Sequence, residues 1–132
     1  MKHEDVTREI IGCFYQVYNH LGYGFLEKVY ERAMAIELQY KGLHVDAQKP
    51  IIVHYRGEAV GDYYADLVVE DRVIVELKAV HHLLPEHEAQ ILNYLNATEY
   101  EVGLLINFGP KARVVRKVLD NPLKQYKPAS YL

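Results

Sequence analysis

The expected fold is decided by residues 63–80, YYADLVVEDRVIVELKAV. Apolar side chains alternate along both halves of this stretch, as they do in two strands that each bury one face. The apolar rows are Ala65, Leu67 and Val69 on the first strand, and Val73, Val75, Leu77 and Ala79 on the second. Because a slip of one residue would turn one row outward, the pattern predicts an antiparallel hairpin with an odd-numbered loop at residues 70–72.

The predicted hairpin places two acids opposite each other. Pairing centred on Asp71 sets Asp66 directly across from Glu76, and Lys78 follows two residues later on the same face. Directly opposed side chains have Cβ atoms roughly 4.5–5.5 Å apart. Two carboxylates at that distance repel each other unless a proton or a cation lies between them, so we interpret the pair as a candidate metal site.

The hairpin by itself also has a simpler interpretation. Charged side chains on the non-core face of an amphipathic hairpin are usually exposed to water. Neighbouring Glu and Lys residues on such a face usually form only weak surface pairs. The other segments of the chain are needed to decide between a metal site and a solvated surface.

Length and composition limit the class of protein. The chain has 132 residues, of which 50% are hydrophobic and 25% charged, the balance of one soluble globular domain. It contains no apolar run of membrane-spanning length, and its first residues lack the apolar centre of a signal peptide. The lone cysteine, Cys13, excludes an internal disulfide framework and a four-cysteine zinc or iron–sulfur site. We therefore expect a cytoplasmic protein without membrane contact.

Two amphipathic helices are predicted before the hairpin. The first runs from about Asp5 to Leu21 and the second from about Leu26 to Tyr40. The stripe expected to be buried on the second helix consists of Leu26, Val29, Ala33 and Ile36. A strand from Ile51 to Tyr55 then leads into the hairpin, which predicts a helical pair packed on an antiparallel meander.

Three further elements are predicted after the hairpin. A helix opens at Pro85 and lasts to about Asn96, with Ala89, Leu92 and Leu95 expected to face the sheet. The continuous apolar run Val102–Phe108 is typical of a strand buried on both faces, joined to the hairpin by a right-handed crossover with parallel strands. Residues 112–119 fit an edge strand or a short helix equally well. We expect a single domain over residues 1–132, with a loosely held tail from about residue 121.

Polar residues on two of the helices can point toward one site. Glu27 lies in the first turn of the second helix, and Tyr30 follows three residues later on the same side. Gln90 and Tyr94, four residues apart, share one face of the helix after the hairpin. An acid at a helix N-terminus is also favoured by the helix dipole alone, so Glu27 has a purely structural explanation as well.

Taken together, these motifs resemble those of a known family. Asp66 is followed ten residues later by Glu76-Leu77-Lys78 on the adjacent strand, which resembles the PD-(D/E)XK nuclease superfamily. The segment GFLEKVY, residues 24–30, matches the signature of the GxxExxY protein family, and Gln90-x-x-x-Tyr94 is similar to the RecB-like branch. The resemblance covers about residues 5–118. It implies an α/β protein of mixed α+β sheet type: a restriction-endonuclease-like core with helices flanking a central mixed β-sheet.

The resemblance also implies roles for individual residues. The catalytic set would be Asp66, Glu76, Lys78 and Glu27. Mg²⁺ or Mn²⁺ would be bound by Asp66, Glu76 and the backbone carbonyl of Leu77, with Glu27 binding directly or through water, because such hard ions prefer oxygen ligands. Lys78 would orient or help deprotonate the attacking water. Substrate binding would involve Gln90, Tyr94 and Tyr30.

The function implied by this resemblance is metal-dependent hydrolysis of phosphodiester bonds in DNA, with RNA as the less favoured substrate. The alternative is a non-catalytic nucleic-acid-binding or protein-assembly module that retains the nuclease fold; a small-molecule hydrolase has only the generic metal site in its favour. The net charge of −3 lacks the basic footprint of most nucleic-acid binders, although Lys and Arg residues collect after residue 110. We therefore expect a homodimer or a partner protein to strengthen binding.

Histidines and tyrosines leave two smaller questions open. His81, His82 and His87 fit no standard zinc spacing, although His82 or His87 could lie near the catalytic opening. Tyr63 or Tyr64 could stack on a nucleic-acid base, but tyrosines more often serve as half-buried packing residues, which is the interpretation we favour from sequence.

Overall fold

The computed structural model describes residues 2–124. Within them, no helix combines the length and the apolarity needed to cross a bilayer. The elements follow each other in the order α1 (Glu4–Leu21), α2 (Glu27–Tyr40), β1 (Val45–Tyr55), β2 (Glu58–Val69), β3 (Val73–Lys78), α3 (Pro85–Ala97), β4 (Val102–Phe108), β5 (Ala112–Val118) and a short 3₁₀ turn (Asn121–Leu123). The predicted element types are therefore confirmed, with shifted ends.

The strands form one mixed sheet. Its five strands lie in the order β1-β2-β3-β4-β5. Neighbouring strands are antiparallel except β3 and β4, which are parallel and are connected by α3. The expected mixed sheet with flanking helices and the parallel crossover are confirmed, and the segment that the sequence left undecided is the edge strand β5.

The register of the central hairpin is the predicted one. Leu67 pairs with Val75, and Val69 pairs with Val73, so the pairing is centred on Asp71. Glu70 and Asp71 adopt left-handed backbone conformations, with φ of 54° and 51°, which close the turn. Continuing this register places Asp66 opposite Glu76.

Both faces of the sheet are buried. On one face, α1 and α2 cover the first core, which includes Ile10, Phe14, Met34, Leu67, Val75, Leu104 and Ile106. On the other, α3 covers a smaller second core, which includes Ile51, Val68, Ile74, Ile91, Leu95 and Leu105. Ala65 belongs to this second core, so its predicted place in the same row as Leu67 was wrong. Because α3 covers the face that carries Glu76, the solvated-surface interpretation of that acid is also wrong.

The buried side of α2 differs from the predicted stripe. Tyr30, Met34 and Leu38 are buried, whereas Leu26 is 78% exposed and Ile36 is 65% exposed. The ring of Tyr30 stacks on Phe108 of β4, with centroids 4.2 Å apart and planes 16° from parallel. The helix carries two apolar stripes, and the one with the larger side chains fills the space above the sheet.

The predicted buried face of α3 and the predicted start of β1 were also wrong. On α3, Ile91 and Leu95 face the sheet, whereas Ala89 is exposed and Leu92 is only half-buried. Strand β1 begins at Val45, six residues before the predicted start, because Pro50 lies inside an edge strand, where a missing N–H is tolerated.

The start of the predicted tail is hydrogen bonded. The Asn121 N–H donates to Glu101 Oε2 at 2.7 Å, and the Lys124 ammonium donates to the carbonyls of Thr98 and Tyr100, each at 2.6 Å. Residues 121–124 are thus held, contrary to the expectation of a loose segment. The rest of that predicted tail, residues 125–132, lies outside the described residues.

Candidate active site

Asp66 and Glu76 lie where the backbone pairing of β2 with β3 stops. The last paired residues are Leu67 and Val75. Beyond them, the N–H of Asp66 donates to Glu76 Oε1 at 3.1 Å, and the N–H of Leu77 donates to Asp66 Oδ2 at 2.9 Å. Each carboxylate thus accepts a hydrogen bond from the opposite strand. These crossed bonds fix both acids side by side at the edge of the second core.

The electrostatics of the pair favour one bound positive charge. Glu76 is only 3% exposed. Burial, followed by the neighbouring charge of Asp66, raises the pKa of Glu76 to about 9. At neutral pH, without a cation, the pair therefore holds a proton. A divalent cation would replace that proton and neutralise both carboxylates.

The donor set suits Mg²⁺ or Mn²⁺. These ions are usually held by one or two protein carboxylates, with water and substrate phosphate completing the shell. Among residues 2–124, no group of three or more His, Cys, Asp or Glu side chains is arranged to hold an ion. Asp66 and Glu76 alone therefore fit an open site of this kind and do not fit a closed, all-protein cage.

Lys78 follows Glu76 on the same face of β3. It pairs in register with Asn107 of β4. Its positive charge opposes the rise in the pKa of Glu76 and of Glu27, so the ammonium lies near both acids. Within the described part of the chain, no hydrogen bond or ion pair holds the Lys78 side chain. An unattached ammonium beside two acids can orient a water molecule.

Glu27 is the first residue of α2 and is exposed at that helix end. Partial removal from water raises the pKa of Glu27; Lys78 opposes this shift and Asp66 adds to it. The carboxylate is thus near the pair but does not form a three-acid ligand group with it. The sequence predicts that Glu27 binds the metal directly or through water. This placement suits binding through water.

Gln90 and Tyr94 project from α3 toward the same site. Gln90 Nε2 donates to the Tyr94 hydroxyl at 3.1 Å, so their predicted common face is confirmed. Burial, and then the charge of Glu76, raise the pKa of Tyr94. Because its oxygen accepts from Gln90, the hydroxyl of Tyr94 keeps its own proton for donation.

Comparison with known proteins identifies the family. A family model described as the PD-(D/E)XK nuclease superfamily matches residues 4–118. The chain belongs to the PD-(D/E)XK nuclease superfamily. Among solved structures, the crystal structure of SSO0001 superimposes with a TM-score of 0.57 at 17% identity, covering 90% of this chain and 61% of that one. At that identity the likeness shows the restriction-endonuclease-like fold alone. The curated proteins give no match.

The predicted substrate-binding residue Tyr30 lies in the core and not at the surface of the protein. It is fully buried. Its hydroxyl donates to the Gly22 carbonyl at 2.7 Å and accepts from the Phe25 N–H at 3.2 Å. The predicted direct contact with substrate is therefore wrong. Tyr30 instead ties the loop before α2, and hence Glu27, to the core.

We expect the Tyr30→Phe variant to lose roughly 1–3 kcal/mol of folding free energy, because two hydrogen bonds to partly buried backbone groups, worth roughly 0.5–1.5 kcal/mol each, are lost. Urea denaturation monitored by circular dichroism measures this loss. Any nucleolytic activity should keep its KM, since the hydroxyl does not reach the surface. A raised KM with unchanged stability would contradict the packing role.

Two residues beside the superfamily motif were missed by the sequence analysis. Gln48 has a positive φ of 54° within β1 and lies opposite Asp66, between the paired residues Ala47 and Lys49. Its Nε2 donates to Glu31 Oε1 at 3.0 Å and reaches Asp66 Oδ1 at 3.5 Å. Gln48 was missed because the strand was predicted to start after Pro50, and Glu31 because it was not on the predicted buried stripe.

The histidines have separate places around the site. His87 Nδ1 accepts the N–H of Leu84 at 3.0 Å, and the ring lies near enough to lower the pKa of Glu27. Of the two histidines that the sequence placed near the catalytic opening, His82 and His87, it is therefore His87 that lies there. His81 and His82 are exposed and line a different cavity, together with Arg113.

Proposed function

We propose that this PD-(D/E)XK protein hydrolyses phosphodiester bonds of DNA, and less readily of RNA, with Mg²⁺ or Mn²⁺. The observation that carries this proposal is the crossed pair of the half-buried Asp66 and the buried Glu76, which lies beside Lys78. A pair that must hold a proton when no cation is present is suited to exchange that proton for a metal.

The metal ligands that we propose are Asp66, Glu76 and the carbonyl of Leu77, with Glu27 acting through water. When bound, the ion supplies charge stabilisation at the phosphate and an acidified water. The crossed hydrogen bonds keep one oxygen of each carboxylate engaged with the backbone. They therefore hold the two acids in place before substrate arrives.

We assign the other catalytic and positioning roles to side chains around the acid pair. Lys78 orients the attacking water, and its positive charge favours the release of that water's proton to solvent. The Tyr94 hydroxyl and the Gln90 amide donate to phosphate oxygens and hold the scissile group over the acids. Gln48, bonded to Glu31, positions Asp66 from the β1 side.

A basic cavity supports a nucleic-acid substrate. It has a volume of about 400 Å³ and is lined by His81, His82, Leu83, Asn107, Pro110, Lys111 and Arg113. The register aligns Lys78, Asn107 and Arg113 across three neighbouring strands on one face of the sheet. A phosphate backbone that passes over Lys78 would therefore continue toward Arg113.

Removing the charges of Lys111 and Arg113 together should weaken DNA binding and reduce its salt dependence. Each lost phosphate contact lowers the slope of log K against log salt by about 1. Fluorescence anisotropy with labelled DNA in EDTA, at several salt concentrations, measures both effects. Arg8→Ala is the matched control, because Arg8 lies on α1 across the sheet, where it pairs with Glu4. An unchanged slope in the double variant would exclude this path.

Direct assay tests the proposed activity. Purified protein is incubated with single-stranded DNA, double-stranded DNA and RNA in Mg²⁺, Mn²⁺ or EDTA, beside the Glu76→Gln and Lys78→Ala variants. We expect metal-dependent cleavage that both substitutions abolish. Cleavage that persists in both variants would belong to a contaminant, and no cleavage of any substrate would contradict the proposal.

The second candidate is a nucleic-acid-binding or assembly module without catalysis. It is favoured by the finding that, within residues 2–124, no further acid, histidine or cysteine joins Asp66 and Glu76 in a group that could hold a metal ion. Calorimetric titration with Mn²⁺ separates the candidates. Folded protein that binds no Mn²⁺ at millimolar concentration would support the non-catalytic module.

Four finer assignments belong to the same proposal. The segment GFLEKVY supports membership of the GxxExxY group, and Gln90 with Tyr94 supports the RecB-like branch. The free, buried thiol of Cys13 suits the reducing cytoplasm. The net charge of −3 supports a second copy or a partner protein that adds affinity for DNA.

A further inference from the structure

A groove beside the acid pair has a different chemical character from the basic cavity. It lies between α3 and the strands β1 and β2 and has a volume of about 400 Å³. Its walls include Val53, Tyr63, Glu86, Gln90, Asn93 and Tyr94. No Lys, Arg or His is among the described residues that line it, and Glu86 adds a negative charge. The groove is therefore suited to an uncharged group and not to a phosphate.

The groove is continuous with the proposed catalytic site. Gln90 and Tyr94 line the groove and, by their hydrogen bond, also form the wall that faces the acids. Tyr94 belongs to the second core together with Ala65, the residue before Asp66, and Ile74, two residues before Glu76. A group in this groove would thus be attached close to a phosphate held over Asp66 and Glu76.

The residues that line the groove offer an aromatic surface for stacking and amide groups for hydrogen bonds, which together suit a planar aromatic ring. Tyr63 is 49% exposed, and its ring lies 5.8 Å from that of Tyr94 at an angle of 48°. The two rings are tilted and not stacked on each other, and about half of the Tyr63 surface is open to solvent. The Asn93 amide can donate to and accept from polar ring atoms, and the Gln90 amide oxygen can accept from them.

We propose that this groove receives one unpaired nucleobase next to the scissile phosphate, stacked on Tyr63. This inference rests on the proposed nuclease function and specifies its substrate as single-stranded or locally unpaired nucleic acid. A base within a duplex is covered on both faces and cannot enter a side groove, whereas a single strand presents its bases freely.

Binding measurements in EDTA test this proposal without requiring cleavage. Stacking of one base on an aromatic side chain contributes roughly 1–3 kcal/mol, so Tyr63→Ala should weaken binding of a labelled single strand by roughly 5- to 150-fold. Tyr63→Phe, which keeps the ring, should bind within about threefold of the original protein, a change of less than 1 kcal/mol. Affinity for duplex DNA should not change in either variant.

Tyr64 supplies the matched control. It is the next residue of β2, is 55% exposed and is not among the groove residues, so Tyr64→Ala should leave single-strand affinity unchanged. Photocrosslinking of a single strand that carries 5-iodouracil should label the peptide containing Tyr63. Equal affinities for the original protein and Tyr63→Ala, or an equal loss in Tyr64→Ala, would overturn the inference. If metal-dependent cleavage is observed and those affinities are equal, only the base groove is wrong and the nuclease function stands.

Discussion

Replacement of Glu76 by glutamine is expected to stabilise the metal-free protein and to abolish its activity. A buried glutamic acid that must keep its proton destabilises the fold at pH values where the unfolded chain would lose it. Glutamine resembles that protonated acid in shape and still accepts the N–H of Asp66, but it has no proton to retain. The same change removes a proposed metal ligand, which should lower cleavage by at least about 100-fold.

The stability gain depends on pH in a defined direction. The pKa of Glu76 is about 9 in the folded protein, against a reference value of 4.5. Between these values the folded state binds the proton that the unfolded state has released, so the stability of the original protein falls as pH rises. The advantage of Glu76→Gln should thus be near zero below pH 4.5 and on the order of 2–4 kcal/mol at pH 8.

Urea denaturation at several pH values, with EDTA present, measures this difference. Mn²⁺ should reverse it, because the ion replaces the proton in the original protein and has lost a ligand in the variant. The explanation would be wrong if the two proteins showed parallel stability curves from pH 5 to pH 8. It would also be wrong if Mn²⁺ stabilised both equally.

Lys78→Ala is expected to remove cleavage while leaving the metal site intact. A positioned positive donor to developing negative charge contributes roughly 10²- to 10³-fold to a rate, and Lys78 is the only lysine of β3. Since an ammonium is not a metal ligand and repels a cation, Mn²⁺ affinity should stay the same or increase. Single-turnover cleavage and calorimetric titration of the same sample measure the two properties separately.

A second lysine near the site controls for loss of positive charge alone. Lys28 lies on α2, one residue after Glu27, and its ammonium is 3.6 Å from Glu31. Lys28→Ala should retain most of the activity, because its ammonium pairs with Glu31 and does not follow the acids on β3. If both lysine variants lost activity to the same extent, general electrostatics would explain the effect better than a specific role for Lys78.

The hairpin and its acids could be predicted because they depend on local pattern. Alternation with period two fixes which face each residue occupies, and the register follows from burying both apolar rows. That alone places Asp66 opposite Glu76, as the structure confirms. The buried side of α2 could not be obtained in this way, because both of its stripes have helical spacing. The choice of Tyr30, Met34 and Leu38 depends on the shape of the sheet beneath them.

The sequence by itself thus determined the order of the elements as far as β4, the register of β2 with β3 and the residues of the superfamily motif, since each depends on spacing along the chain. Only the tertiary structure decided that α3 covers the acid face and so raises the pKa of Glu76. It also decided that Gln48 reaches Asp66 from β1, and that Tyr63 and Tyr94 line one groove. These features depend on burial and on contacts between distant segments, which exist only once the helices are packed on the sheet.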